Sequence, residues 1–99
     1  MAQTNAGQQL IIDNPQQHRF EVRFGDEVAA QAQYRMQGDT IVFTHTEVKP
    51  AHEGQGLGSR LAQYALENVR GRNLKVVAQC EFIARYIDRH PEFTALRVK

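Results

Sequence analysis

The sequence predicts a mixed α/β layer of the α+β class in one domain. Three observations carry this: period-two alternation runs through residues 20–24 and 28–36, a glycine-rich connection follows Pro50, and helical spacing begins only after it. Four strands are therefore expected before any helix, whereas a doubly wound dinucleotide domain would alternate from its start. The length of 99 residues suits a single domain that buries roughly 60 to 70% of its unfolded surface.

Residues 1–9 are small and polar without periodicity and are expected to form a flexible tail, leaving 10–99 as the folded domain. Leu10-Ile11-Ile12 gives a first strand ending near Ile12, because Asp13-Asn14-Pro15 supplies turn chemistry. Phe20, Val22 and Phe24 then alternate with Arg19, Glu21 and Arg23, the pattern of a half-buried strand. After Gly25-Asp26, Val28, Ala30, Ala32, Tyr34 and Met36 repeat the period, so the two segments read as an antiparallel hairpin. Gly38-Asp39 turns the chain again into Thr40–Val48, rich in β-branched and aromatic residues.

Past Pro50, the segment Glu53-Gly54-Gln55-Gly56-Leu57-Gly58-Ser59 leads into a helix marked by Leu57, Leu61, Ala65 and Val69, with Gly71 placed as its C′ residue. Arg70, Arg72 and Lys75 follow, where cations favour the helix C-terminus. Leu74–Ala78 fits a short buried strand, Glu81–Arg89 a second helix with Phe82, Ile83, Tyr86 and Ile87 on its core face, and Leu96 and Val98 a closing strand.

Composition narrows the function classes. Twelve Lys plus Arg against 11 Asp plus Glu give a net charge of +1, which lacks the basic surplus of a dedicated nucleic-acid binder. No apolar run is long enough for a membrane span, and the N-terminus shows no basic stretch followed by an apolar core, so neither a membrane association nor a signal peptide is expected. The single cysteine, Cys80, makes no intramolecular disulfide, and a cytoplasmic setting follows as the simplest expectation. The intervals between the histidines and Cys80 match no zinc signature, so no metal is expected; His18, His52 and His90 read as solvated.

The glycine loop carries the chemistry. Backbone amides there approach a phosphate without Cβ interference, and the helix start beyond them offers free N–H groups and a positive dipole end, a combination suited to a diphosphate. The spacing is not GxGxxG and no Gly-Lys pair forms a P-loop; a tight strand-to-helix connection would use the same glycines.

Val48-Lys49-Pro50 followed by Gly54-Gln55-Gly56-Leu57-Gly58 resembles the acyl-CoA loop of the GNAT superfamily of N-acetyltransferases. With His45-Thr46 on the preceding strand and Cys80 after the next one, the chain looks most like the minimal GNAT branch, over about residues 10–95. The resemblance implies a single-domain minimal GNAT fold, with acetyl-CoA as co-substrate held by Val48, Gly54, Gln55, Gly56, Leu57, Gly58 and Ser59. It also implies an amine acceptor, small or macromolecular, and Cys80 and His45 as catalytic partners. Two positions depart from the pattern: Glu53 stands where Arg or Gln is usual, and the tyrosine that protonates the leaving thiol in larger members would fall at Ile87, not Tyr86.

Acyl transfer needs a neutral amine, N–H donors for the oxyanion and a route for the leaving thiolate. Strand-edge amides near Val48 are candidate donors. Two routes stay open: direct attack with His45 or a water taking the proton, or transfer first to Cys80, where a helix N-terminus favours the thiolate. Glu47 is a weaker candidate base, sharing a face with His45 if no bulge intervenes; Phe82 and Tyr86 read as core. The rival from another class is an acyl-CoA-binding or regulatory module without catalysis; a third is a small nucleic-acid-associated domain using the basic patch at 70–75, where Arg70, Arg72 and Lys75 could instead dock an adenosine 3′-phosphate. For a lone cysteine the plain alternative is a small buried hydrophobe, a preference that the family resemblance reverses.

Overall fold

In a computed structural model, residues 10–98 are described; the expected tail over 1–9, and residue 99, lie outside them. The elements are β1 (Leu10–Asn14), β2 (Arg19–Phe24), β3 (Glu27–Gln37), β4 (Thr40–Val48), α1 (Leu57–Gly71), β5 (Lys75–Ala78) and α2 (Glu81–Arg89), with short 3-10 segments at Pro50–His52 and Pro91–Leu96. The expected α+β class and the strand-first order hold. One five-stranded sheet runs β1-β2-β3-β4-β5, antiparallel through β4 and parallel between β4 and β5. The parallel pair needs a crossover, and α1 is that crossover.

The inward positions of the strands, Phe20, Val22, Ala30, Ala32, Tyr34, Ile41 and Phe43, share one core with both helices. The stripe Leu57, Leu61, Ala65 and Val69 is fully buried, widened by Ala62 and Leu66, and α2 contributes Ile83, Tyr86 and Ile87. Phe20, Tyr34 and Phe43 pack as a tilted and edge-on aromatic cluster with centroids 5.3 to 6.4 Å apart. Among the described residues no helix is long and apolar enough to cross a membrane.

The other set of alternating positions carries a polar ladder. Glu21, expected with the exposed residues of β2, has no accessible surface. Its carboxylate accepts hydrogen bonds from Arg19, from Arg23 Nε at 2.8 Å and from Asn14 at 3.0 Å, and Arg19 also donates to Gln31. Burial alone would raise the Glu21 carboxyl; the bonds from Arg19, Arg23 and Asn14 outweigh it and hold the group below its ordinary value.

Two bulges set which side chains face the core. On β3, Ala29 is the extra residue between Val28, opposite Arg23, and Ala30, opposite Val22. On β4, Thr44 is the extra residue between Phe43, opposite Tyr34, and His45, opposite Gln33. A bulge reverses the alternation beyond it. Ile41 and Phe43 point into the core before Thr44, so Thr46 and Val48 take that side after it, and His45 and Glu47 take the other.

Two expectations at chain ends are corrected. Gly71 is the last residue of α1, not its C′ residue; Asn73 takes the left-handed conformation (φ 58°). The amides of Asn73 and Leu74 bond the carbonyls of Arg70 and Val69, a Schellman ending in which Asn serves as glycine usually does. Leu96 and Val98 form no closing strand: Pro91 starts a 3-10 segment that reaches Leu96, and only a single parallel bridge joins Arg97 to Val76.

Candidate active site

The pairing of β4 with β5 ends at Phe43 and Ala78. Beyond it the strands separate, and the amides of Gln79 and Cys80 both close on the Phe43 carbonyl at 3.0 Å. The part of β4 from Thr44 to Val48 thus has β3 on one edge and, among the described residues, no strand on the other.

Cys80 stands at this parting as the N-cap residue of α2, 7% exposed, and its thiol donates to the Thr46 hydroxyl at 3.1 Å. The Thr44 bulge turns Thr46 to the thiol and places His45, expected as the partner of Cys80, on the opposite face of β4. There its ring is 58% exposed, with Nε2 3.8 Å from Glu47. Glu47 does share the His45 face, because the bulge precedes both.

At the far end of the same β4 segment a cavity of about 350 Å³ is lined by Val48, His52, Glu53, Gly54, Gly56, Leu57, Gly58, Ser59 and Phe82. Six of the seven expected cofactor residues line it; Gln55 is exposed and does not. Gly56, the N-cap of α1, has φ 74°, a left-handed geometry that costs other residues about 1 kcal/mol or more. It aims the first turn of α1 at the cavity. Arg60 is the first residue of α1 to close a helical bond, onto Gly56, so the amides of Leu57, Gly58 and Ser59 remain available to an anion.

Gly58 answers a different need. A Cβ there would lie 2.6 Å from Cζ and 2.8 Å from Cε2 of Phe82, so only glycine lets that ring lie against α1. Phe82, expected in the core, is 36% exposed and forms a cavity wall. In Gly58→Ala the half-exposed ring swings aside with a stability change of no more than about 1 kcal/mol. The coenzyme A binding expected from the sequence should weaken and be partly restored in the Gly58→Ala, Phe82→Leu double variant, as calorimetric titration of the three proteins would show.

His52, expected to be solvated, is largely enclosed: it stacks on Phe24 with centroids 5.0 Å apart and its Nε2 lies 3.3 Å from Glu27. His90 likewise stacks on Tyr86 at 3.8 Å, with Nδ1 2.8 Å from the Tyr86 carbonyl. Burial, then the charges of Glu92 and Glu67, push the Tyr86 hydroxyl above its usual range.

These features fit an acyl-CoA diphosphate at the start of α1, with Glu53 as the one opposing charge in the lining. The family model described as GCN5-related N-acetyl-transferase matches residues 19–96. The chain belongs to that family. Relatives by sequence include Protein NATD1 of Mus musculus, 36% identical over 88 residues that cover 86% of this chain and 80% of the relative. Protein NATD1 of Gallus gallus is 36% identical over 75 residues, covering 74% and 68% of the two chains. The fold matches the NMR solution structure of a GCN5-like protein from Staphylococcus aureus with a TM-score of 0.70 over 90% of this chain and 87% of that one, at 24% identity. Membership in the GCN5-related family implies acetyl-CoA as co-substrate and an amine as acceptor.

Proposed function

We propose that the chain is an acetyl-CoA-dependent N-acetyltransferase, with the diphosphate on Gly54–Ser59 and the acetyl group delivered along β4 to Cys80. One observation carries this reading. Val48 lines the glycine-loop cavity and Thr46 holds the Cys80 thiol, and the two lie two residues apart on one face of a strand whose second edge is unpaired among the described residues. That separation is about 7 Å of extended chain, so a pantetheine arm following the β4 edge spans cavity and thiol.

The transfer then runs in two steps. The Cys80 sulfur attacks the thioester carbonyl; a carbon–sulfur bond to Cys80 forms, the bond to the coenzyme A sulfur breaks, and the proton of the Cys80 thiol ends on the released coenzyme A. The acceptor nitrogen next attacks the acetyl carbon on Cys80, the new carbon–nitrogen bond displaces the cysteine sulfur, and the ammonium proton returns to it. Cys80 is the N-cap residue of α2, and its sulfur serves as nucleophile in the first step and as leaving group in the second. Thr46 orients the sulfur.

His45 stands outside this scheme, across the sheet from the thiol. His45→Ala therefore keeps transfer within about twofold of the parent, while Thr46→Val slows it by about tenfold through loss of the orienting hydroxyl. Release of free coenzyme A, followed with a panel of small amines and peptides, checks both variants. A His45→Ala loss of a hundredfold would overturn the assignment.

A further inference from the structure

Phe82 forms a wall of two hollows. One is the glycine-loop cavity; the other, of about 310 Å³, lies along α2 and is lined by Glu81, Phe82, Arg85 and Arg89. Phe82, Arg85 and Arg89 recur at offsets of three and seven residues, which places them on one stripe of the helix. Arg85 is 66% exposed and is tethered to Glu81 at 3.1 Å across one helical turn, an exchangeable surface pair. Arg89 is exposed and has no ion pair among the described residues.

The glycine-loop cavity itself holds no arginine or lysine and carries Glu53, so a ligand with charge beyond its diphosphate finds no cationic side chain there. In the other basic cluster, Arg70 lies over the Phe93 ring at 5.0 Å and Arg72 is 3.6 Å from Asp13, and neither lines the two hollows that share Phe82. We propose that Arg85 and Arg89 bind the 3′-phosphate on the adenosine end of coenzyme A, with Phe82 as the apolar surface between that phosphate and the diphosphate site. This rests on the acyl-CoA reading above. Guanidinium groups suit a terminal phosphate monoester because their forked donors meet two oxygens at once, and an exposed aromatic ring beside them offers a face to the adenosine.

Calorimetric titration with coenzyme A and with 3′-dephospho-coenzyme A tests the assignment. The parent protein binds coenzyme A about tenfold more tightly than the dephospho form at low salt. In Arg85→Gln, Arg89→Gln the two affinities become equal, with the dephospho affinity unchanged as the internal control for an intact fold and diphosphate site. Arg70→Gln, Arg72→Gln keeps the tenfold preference. Equal affinities in the parent, a preference that survives in the Arg85, Arg89 variant, or its loss in the Arg70, Arg72 variant would each overturn the proposal while leaving acyl-CoA binding in place. Failure of the parent to bind either ligand would remove the acyl-CoA reading and this inference with it.

Discussion

Under the proposed mechanism Cys80→Ala lowers acetyl transfer at least about a hundredfold and leaves coenzyme A affinity within about twofold, because the variant would lose the nucleophile and keep the loop proposed to bind the diphosphate. The separation follows from the geometry. Cys80 is absent from the lining of the glycine-loop cavity, and its own contacts are with Thr46 and the Phe43 carbonyl. The substitution removes one small, nearly buried side chain, so its stability cost is on the order of 1 kcal/mol and thermal unfolding distinguishes a folded, inactive variant from a collapsed one. Cys80→Ser is the sharper companion. It preserves size and the bond to Thr46 but replaces the sulfur with a poorer nucleophile, and the same loss of transfer is expected. A Cys80→Ala protein that transfers at the parental rate would mean direct attack by the amine.

Glu21→Ala is the largest stability effect expected outside the core, about 2 kcal/mol. The carboxylate has no accessible surface, and it is the common acceptor for Arg19, Arg23 and Asn14. Removing it strands two guanidinium groups. Because these are 24% and 33% exposed, water partly replaces the lost partner and the cost stays below that of breaking a wholly buried pair. The pH dependence has a definite sign. The folded Glu21 carboxyl lies below its unfolded value near 4.5, so its contribution is complete above that value and is lost as pH falls through the folded one. Urea unfolding of parent and Glu21→Gln should show a constant difference from neutral pH down to about pH 5, narrowing below about pH 4.

What the sequence made legible was whatever repeats. Strict alternation from Phe20 to Phe24 and from Val28 to Met36 marks buried faces directly, and the spacing of Leu57, Leu61, Ala65 and Val69 does the same for α1. What it hid was whatever breaks a repeat by one residue. Nothing in Phe43-Thr44-His45-Thr46 announces a bulge, since β-branched and aromatic residues suit either phase, yet that single residue decides whether His45 or Thr46 meets Cys80. The glycine loop was readable because conformational demand selects the residue type, as Gly56 shows at φ 74°. The same logic misled at Gly71, where Asn73 supplies the left-handed residue instead. Phe82 follows the helical period of a core residue, and only its partner Gly58, 24 positions earlier, reveals that the ring lies over α1 at the cavity. Glu21 shares the spacing of an exposed carboxylate; its burial comes from neighbours on two other elements, Asn14 and Gln31, that close the ladder around it.

Acetylation of the protein itself tests the central assignment most directly. The full chain is mixed with acetyl-CoA without acceptor, and its intact mass is read before and after hydroxylamine, with Cys80→Ala alongside. The account predicts a single acetyl adduct on the parent, removed by hydroxylamine, carried by Cys80 in peptide mapping and absent from the variant. An adduct that forms equally on Cys80→Ala, or a parent that binds coenzyme A and transfers acetyl groups without ever carrying one on Cys80, would contradict it.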